Sequence, residues 1–169
     1  MLVIFDLDLT LINTSALQTL RDNRRWREIK SRLGETNLYP GIREMVQAFR
    51  DKNISMAVVT NSPGTYANDL LFHHSLPVKT VVAYHDTRRH KPYPDPMELA
   101  MQLSHSTARN TVAIGDAVND IRAAKAAGIC SCAALWDCNN IDVIRCAEPD
   151  REFRTPQEFL EFVLQYQKQ

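Results

Sequence analysis

Two aspartates, Asp6 and Asp8, follow the apolar run LVIF at residues 2–5. Carboxylates at this spacing repel each other unless a positive charge lies between them. A carboxylate can attack phosphorus, which divides one difficult substitution into two easier steps. A second carboxyl group beside it can protonate the leaving oxygen and later deprotonate water. The pair therefore indicates phosphoryl chemistry, provided that the rest of the chain supplies the positive charge.

Polar side chains also follow the other predicted strands. In chain order they are Thr10 after the first strand, Thr60, Asn61 and Ser62 after the second, Arg88, Arg89 and Lys91 after the third, and Asp116 with Asp120 after the fourth. Ligands of open parallel sheets bind beyond the carboxyl ends of the strands, so we expect these side chains to converge. Converging carboxylates suit Mg²⁺, which takes oxygen ligands and keeps waters and a substrate phosphate in its shell. The missing positive charge would then be Mg²⁺ together with Lys91.

Apolar runs alternate with amphipathic stretches along the chain. The pattern predicts strands at 1–8, 54–61, 80–84, 110–116 and 130–135, and helices at 42–53, 65–75, 96–106, 119–128 and 156–167. Near-continuous apolar strands separated by helices indicate a parallel sheet that is covered on both faces. We predict one α/β domain over residues 1–169, a Rossmann-like three-layer sandwich with a central parallel sheet.

Residues 15–39 interrupt this alternation, and we expect them to form a short cap of one helix and a loop. The basic stretch 21–32 within the cap allows two interpretations. Arg25, its neighbouring arginines and Trp26 could steer an anionic substrate toward the site. Alternatively, the stretch is a solvated helix in which Asp22 and Glu28 pair with local arginines.

Composition excludes several classes of partner. The chain has 169 residues with 20 Lys+Arg and 20 Asp+Glu, so the balanced charge gives no support for nucleic acid or an anionic membrane. No apolar run approaches the ~20 residues of a membrane span, and no secretion signal is evident. The four cysteines, at positions 130, 132, 138 and 146, match neither a disulfide scaffold nor a zinc site. We expect a cytoplasmic protein with free thiols.

Four motifs resemble those of a known family when they are taken together in chain order. They are DLDLT at 6–10, VVTNS at 58–62, KPYPDP at 91–96 and IGDAVND at 114–120. This set resembles the haloacid dehalogenase (HAD) superfamily of phosphohydrolases, and within it the phosphoglycolate-phosphatase-like branch. The resemblance covers roughly residues 1–135 and implies a HAD-like core with a cap inserted after the first motif.

The resemblance also implies a role for each matching residue. Asp6 would be the nucleophile and a Mg²⁺ ligand, Asp8 the general acid/base with its backbone carbonyl at the metal, Thr60 and Asn61 phosphoryl ligands, Lys91 the neutralising cation, Asp116 a metal ligand and Asp120 an assisting one, directly or through water. Because dehalogenases of this superfamily lack the second aspartate as acid/base, Asp8 favours phosphate-ester chemistry. From their positions, Arg25, Arg88 and Arg89 are candidate substrate contacts.

The cap departs from the family pattern, since members of this branch usually carry a larger helical cap than residues 15–39 provide. Either the site is open to a larger phosphorylated partner, or another subunit completes it in a two-fold homodimer. We therefore predict a Mg²⁺-dependent phosphomonoesterase that acts through an aspartyl-phosphate on a phosphorylated metabolite or a larger partner. The alternatives are a catalytically silent binding protein with the HAD fold and a phosphotransferase, which would need a sugar-gripping cap.

Overall fold

The computed structural model describes residues 1–137 and 141–166. The strands are β1 (Leu2–Phe5), β2 (Ile12–Asn13), β3 (Asn37–Leu38), β4 (Ser55–Val59), β5 (Thr80–Val82), β6 (Thr111–Gly115), β7 (Cys130–Ala134) and β8 (Arg151–Phe153). The helices are α1 (Gln18–Asp22), α2 (Trp26–Ser31), α3 (Ile42–Asp51), α4 (Gly64–His73), α5 (Asp95–Leu103), α6 (Val118–Ala126), α7 (Ile141–Arg145) and α8 (Pro156–Tyr166).

A six-stranded parallel sheet forms the centre of the fold, in the order β5-β4-β1-β6-β7-β8. Strand β1 lies between β4 and β6, and Phe5 is in register with Val58 and Ile114. The chain segments that follow these three strands therefore start at the same edge of the sheet. The predicted α/β sandwich with a central parallel sheet is confirmed.

Alternate residues of each strand point to opposite sides of the sheet, so both faces are apolar. Helices cover both of these faces. On one face, Val3 and Phe5 pack with apolar residues of α3, α4 and α8. The rings of Phe5, Phe49 and Phe159 lie with their centroids 6.2 Å apart in each pair. On the other face, the side chains of Leu2 and Ile4 pack against α5 and α6. This double burial explains why β1 consists entirely of apolar residues.

The sheet has one strand more than the sequence pattern predicts. Strand β8 pairs in parallel with β7, so that Arg151 is in register with Cys132. Only Phe153 of this strand is buried, and its other residues are charged and exposed. An edge strand of this kind carries no apolar run, which is why periodicity did not reveal it. Helix α7 was likewise not predicted.

The cap differs from the single helix that we expected. It contains two short helices, α1 and α2, which are separated at Arg24, where the backbone has a positive φ of 54°. Strands β2 and β3 pair with each other at the base of the cap, with Ile12 opposite Leu38. The cap therefore leaves and rejoins the core at one place.

Two expectations from composition can be compared with the structure. Among residues 1–137 and 141–166, no helix is long and apolar enough to cross a membrane. Cys130, Cys132 and Cys146 carry free thiols, and Cys132 is buried. Cys138 lies outside the described residues.

Candidate active site

A tight turn after β1 brings both aspartates of the first motif to one cavity. The amide of Asp6 still donates to the carbonyl of Ile114 at 2.9 Å, so Asp6 extends the sheet. The amides of Leu11 and Ile12 then both donate to the carbonyl of Leu7, at 3.1 and 3.2 Å. Leu9 has a positive φ of 62°, a conformation that costs on the order of 1 kcal/mol or more in a non-glycine residue. The turn removes the alternation of a regular strand, and Asp6 and Asp8 line the same cavity.

Lys91 joins two of the predicted carboxylates. Its Nζ donates to Oδ1 of Asp6 at 2.5 Å and to Oδ1 of Asp120 at 2.6 Å. A third bond, of 2.9 Å, runs from Nζ to the carbonyl of Val59. The side chain is buried, and burial alone would lower the pKa of Lys91. The charges of Asp120 and Asp6 outweigh this effect and raise the pKa above its ordinary value, so the ammonium group stays charged.

The side-chain amide of Asn61 fixes the backbone of Lys91. Its Nδ2 donates to the carbonyl of Lys91 at 3.0 Å, and its Oδ1 accepts from the amide of Lys91 at 3.2 Å. Asn61 lines the cavity, but both ends of its amide already have partners. This geometry makes Asn61 a positioning residue for Lys91, in addition to the predicted phosphoryl contact.

Asp6, Asp116 and Asp120 form an acidic cluster in which one oxygen of each residue lies within 4.8 Å of the others. Oδ1 of Asp116 accepts from the hydroxyl of Thr10 at 2.8 Å. Oδ2 of Asp120 accepts from the amide of Ala117 at 3.0 Å, while its Oδ1 accepts from Lys91. Since both oxygens of Asp120 already have donors, a metal contact would share one of them or pass through water.

The electrostatics of this cluster favour the binding of a further cation beside Lys91. Burial, followed by the charge of Asp120, raises the pKa of Asp116 to about 6. Burial also raises the pKa of Asp6 well above its ordinary value, although Lys91 acts in the opposite direction. The three carboxylates offer only oxygen ligands, which suit a hard divalent cation such as Mg²⁺. A bound cation would also stabilise the charged forms of Asp6 and Asp116, which burial disfavours.

The carboxylate of Asp8 is not part of this cluster and accepts hydrogen bonds from four side chains. Its Oδ1 accepts from Thr14 at 2.8 Å, Arg21 at 2.5 Å and Tyr66 at 2.6 Å, and its Oδ2 from Ser62 at 2.8 Å. Burial raises the pKa of Tyr66 and the charge of Asp8 raises it further, so the phenol remains a donor. Because the carboxylate already accepts these hydrogen bonds, the predicted contact of Asp8 with the metal would be made by its backbone carbonyl.

Arg21 connects the cap to the hydrogen-bond network around Asp8 in the core. Burial alone would lower the pKa of Arg21, but the charge of Asp8 and the contact with Tyr66 outweigh it and raise the pKa. Arg21 also donates to the hydroxyl of Thr14. The cap is therefore fixed to the predicted acid/base residue by a partly buried ion pair.

The cavity above these residues has a volume of about 550 Å³. Besides the residues described so far, it is lined by Leu9, Asp22, Arg24, Trp26, Thr60, Pro63, Tyr84, His85, Ala117 and Asn119. The side chain of Thr60 is buried, and its Oγ1 accepts from the amide of Ser62 at 3.0 Å. Thr60 therefore presents a fixed hydroxyl at the predicted phosphoryl position.

The three predicted substrate arginines do not line the cavity. Arg25 pairs with Glu28 on the cap surface, and Arg89 pairs with Asp95 at 3.0 Å. Arg88 is exposed. The cap instead contributes Arg21, on α1, and Arg24, between α1 and α2, to the cavity. Local pairing explains part of the basic stretch, since Glu28 also lies 3.7 Å from Arg32.

Sequence reasoning missed the side chains that hold Asp8. Tyr66 lies on an amphipathic helix and Arg21 on a polar one, and neither carries a local signal of its role. Ser62 was placed at a strand end by its motif, but its bond to Asp8 was not predicted. The contacts depend on how the cap and α4 approach the turn after β1.

Comparison with known proteins identifies the family of this chain. Residues 17–134 match the family model described as haloacid dehalogenase-like hydrolase. The chain belongs to this family. The match includes three of the four motifs that carry the resemblance, and Asp6 and Asp8 lie just before it. The resemblance predicted from those motifs is confirmed.

Similar curated proteins are named phosphoglycolate phosphatase. The one from Salmonella typhi is 33% identical over 119 residues, which are 68% of this chain and 46% of that protein. The one from Escherichia coli K12 is 29% identical over 129 residues, which are 74% of this chain and 50% of that protein. The chain therefore spans about half the length of these curated relatives.

Solved structures share the fold. A hydrolase from Pseudomonas syringae superposes with a TM-score of 0.81 at 17% identity, covering 96% of this chain and 97% of that one. CbbY from Rhodobacter sphaeroides in complex with phosphate gives a TM-score of 0.78 at 19% identity, covering 94% and 95%. At this identity the likeness establishes the architecture of the core.

Replacing Asp116 with asparagine is expected to stabilise the metal-free protein at pH 8. With a folded pKa of about 6 against an ordinary 3.8, the folded state holds a proton that the unfolded state releases between these values. Stability of the metal-free wild type therefore rises as the pH falls through 6 toward 4. The variant should gain about 1–3 kcal/mol at pH 8 and lose this advantage near pH 4.

Urea unfolding in EDTA at both pH values measures this difference, and a Mg²⁺ titration of the melting temperature completes the test. The variant should lose most of the stabilisation that Mg²⁺ gives the wild type. An Asp116→Asn variant that is less stable than the wild type at pH 8 in EDTA would contradict the proposed origin of the shift.

Gly115 is expected to be intolerant of alanine because it lies directly against Asp120. A Cβ atom at Gly115 would be 2.4 Å from Cβ of Asp120, so the start of α6 would have to move. We expect a loss of about 1–3 kcal/mol in unfolding free energy and weaker Mg²⁺ binding. Gly34→Ala is the matched control, since nothing lies within 4 Å of the added carbon. Equal stability of the two variants would show that the contact is relieved at no cost.

Proposed function

We propose that this protein is a Mg²⁺-dependent phosphomonoesterase that forms an aspartyl-phosphate on Asp6. The observation that carries the proposal is the contact of Lys91 with both Asp6 and Asp120 beside a third carboxylate, Asp116. This arrangement gives the nucleophile a fixed cation on one side and an oxygen cluster suited to Mg²⁺ on the other.

In the first step, a carboxylate oxygen of Asp6 attacks phosphorus. The bond from phosphorus to the ester oxygen breaks, and that oxygen takes a proton from Asp8 as the alcohol leaves. In the second step, Asp8 removes a proton from water, whose oxygen attacks the phosphoryl group. The bond to Asp6 breaks, phosphate leaves, and both aspartates return to their starting forms.

Asp8 can carry the proton on one particular oxygen. Within the described residues, its Oδ1 accepts from three donors, whereas Oδ2 accepts only from Ser62. Ser62 can rotate its hydroxyl to accept instead of donate, because a hydroxyl has both capacities. We therefore assign the transferred proton to Oδ2, while Arg21 and Tyr66 keep the carboxyl group in place.

The remaining residues hold the phosphoryl group. Thr60 offers its hydroxyl, and Lys91 balances negative charge that develops on the phosphoryl oxygens. Mg²⁺ bound by Asp6, Asp116 and Asp120 would supply further charge neutralisation at this point. Phosphate-monoester hydrolysis needs up to ~10²¹-fold enhancement, so fixed positive charge must contribute a large part of the effect.

The names of the relatives support phosphate-ester hydrolysis, and they leave the substrate of this chain open. The chain spans about half of those proteins, and substrate choice in this architecture depends on the cap and the loops. The expected cytoplasmic location, the absence of nucleic-acid and membrane partners, and the homodimer stay predictions. Gel filtration with light scattering tests the dimer.

The deciding experiment is release of inorganic phosphate from a panel of phosphorylated metabolites, nucleotides and a phosphopeptide. Each substrate is assayed with Mg²⁺ and with EDTA, and Asp6→Asn serves as the inactive control. Turnover that needs both Mg²⁺ and Asp6 establishes the proposal. Failure of every substrate would refute it and favour a binding protein with this fold.

A further inference from the structure

We propose that the leaving alcohol of the substrate carries a flat ring system, and that the substrate is a nucleoside monophosphate. The inference rests on the proposed phosphomonoesterase function. It is carried by two aromatic side chains, Trp26 of the cap and Tyr84 of the core, which both line the cavity of the catalytic aspartates.

The size of the cavity is the first argument. Its volume is about 550 Å³. A phosphoryl group with a two-carbon acid would fill only a small part of this space. Pockets of about 300–1,000 Å³ are typical of ligands with several rings. The space beyond the phosphoryl position thus fits a leaving group of nucleoside size.

Trp26 lies close to the residue that would protonate the leaving group. It is the first residue of α2, and its ring packs on Tyr66 with 5.4 Å between the centroids. The hydroxyl of Tyr66 donates to Asp8, the residue that protonates the leaving oxygen. Trp26 is therefore separated from the acid/base by one side chain, on the leaving-group side of the reaction.

Tyr84 provides a second aromatic surface that is fixed in advance. Its amide donates to the carbonyl of Ser62 at 3.1 Å, which ties it to the loop that also holds Asp8. One face of its ring stacks on His90 with 3.9 Å between centroids and 24° between planes. Tyr84 nevertheless remains 41% exposed, so apolar ring surface faces the cavity. A preorganised aromatic ring costs little entropy when a base stacks on it.

Polar side chains around the same space favour a nucleoside over a plain aryl group. Arg24, His85 and Asn119 line the cavity together with the two aromatic residues. Arg24 makes no ion pair within residues 1–137 and 141–166, so its donors are free for a ligand. Ring nitrogens, carbonyl oxygens and ribose hydroxyls can form hydrogen bonds with these groups, whereas a phenyl ring offers them no partner.

The test compares kcat/KM for AMP, UMP, phenyl phosphate, glycerol phosphate and phosphoglycolate in the wild type and in Trp26→Leu and Tyr84→Leu. We expect the nucleotides to be the best substrates. Each variant should lose roughly 10-fold in kcat/KM for them, mainly through KM, because a stacking contact contributes about 1–3 kcal/mol per base. Turnover of glycerol phosphate should fall less than that of the nucleotides, because its leaving alcohol has no ring to stack. Phe72→Leu is the control, since Phe72 is 88% exposed and does not line the cavity.

Three results would overturn the inference. They are phosphoglycolate or glycerol phosphate as the best substrate, phenyl phosphate above both nucleotides, or an equal loss on all substrates in both variants. If no substrate is hydrolysed, the proposed function fails, and calorimetric titration of Asp6→Asn with AMP and Mg²⁺ still decides the inference. AMP binding that is weaker when Asp6→Asn is combined with Trp26→Leu or with Tyr84→Leu supports the inference. Absence of AMP binding to Asp6→Asn refutes it.

Discussion

Asp6→Asn is expected to reduce phosphate release by about 10⁴-fold or more, because it removes the proposed nucleophile on which the phosphoryl group would be held. The amide keeps the shape of the carboxyl group and can still accept from Lys91. Burial already disfavours the charged form of Asp6, so the uncharged amide should fold without a large loss of stability. The measurement is single-turnover phosphate release with Mg²⁺, together with thermal unfolding of the same preparation.

The matched control is Asp142→Asn, which makes the same chemical change at an exposed position on α7. It should keep wild-type turnover and stability. An Asp6→Asn variant that is folded and hydrolyses substrate at more than about one hundredth of the wild-type rate would contradict the assignment of the nucleophile. Partial activity of this kind would point to direct attack by water.

Lys91→Met is expected to damage both stability and activity, because it removes the cation that two carboxylates share. Lys91 is 6% exposed, and its ion pairs with Asp6 and Asp120 are largely shielded from solvent. Breaking a buried pair by removing one partner costs about 3–5 kcal/mol. We expect that loss in EDTA at pH 8, and a fall in turnover of about 10³-fold or more with Mg²⁺.

The pH dependence of the variant gives a sharper test. Lys91 is the group that lowers the pKa of Asp6, so without it this pKa should rise further in the folded state. The loss of stability should then be largest at pH 8 and should diminish as the pH falls and the carboxylate takes up a proton. Urea unfolding at pH 5 and 8 measures it, with Lys52→Met as an exposed control. A loss that is the same at both pH values would show that packing, rather than charge, is responsible.

The motifs could be recognised from sequence because each one depends on local signals. Asp6 follows an apolar run, and Asp116 follows another, so the ends of buried strands were visible as the points where carboxylates begin. The parallel sheet followed from the alternation of such runs with helices. Given a parallel sheet, convergence of the strand ends required no knowledge of strand order.

The surroundings of the motif residues depend on the tertiary structure. Strand β8 escaped prediction because its residues are mostly charged and only its pairing with β7 makes it a strand. The break at Arg24 also escaped, and Arg24 itself lines the cavity. Arg25 was predicted as a substrate contact from its charge and its position in the cap, and in the structure it pairs with Glu28.

The network around Asp8 shows the same division most clearly. From the sequence alone, Asp8 could be placed shortly after a buried strand, two residues beyond the predicted nucleophile. Its donors come from positions 14, 21, 62 and 66, which lie on separate elements with no common periodicity. Such contacts arise only when the cap and α4 pack against the turn after β1. These contacts depend on which residues are close in space, whereas a single sequence shows only which residues are close along the chain.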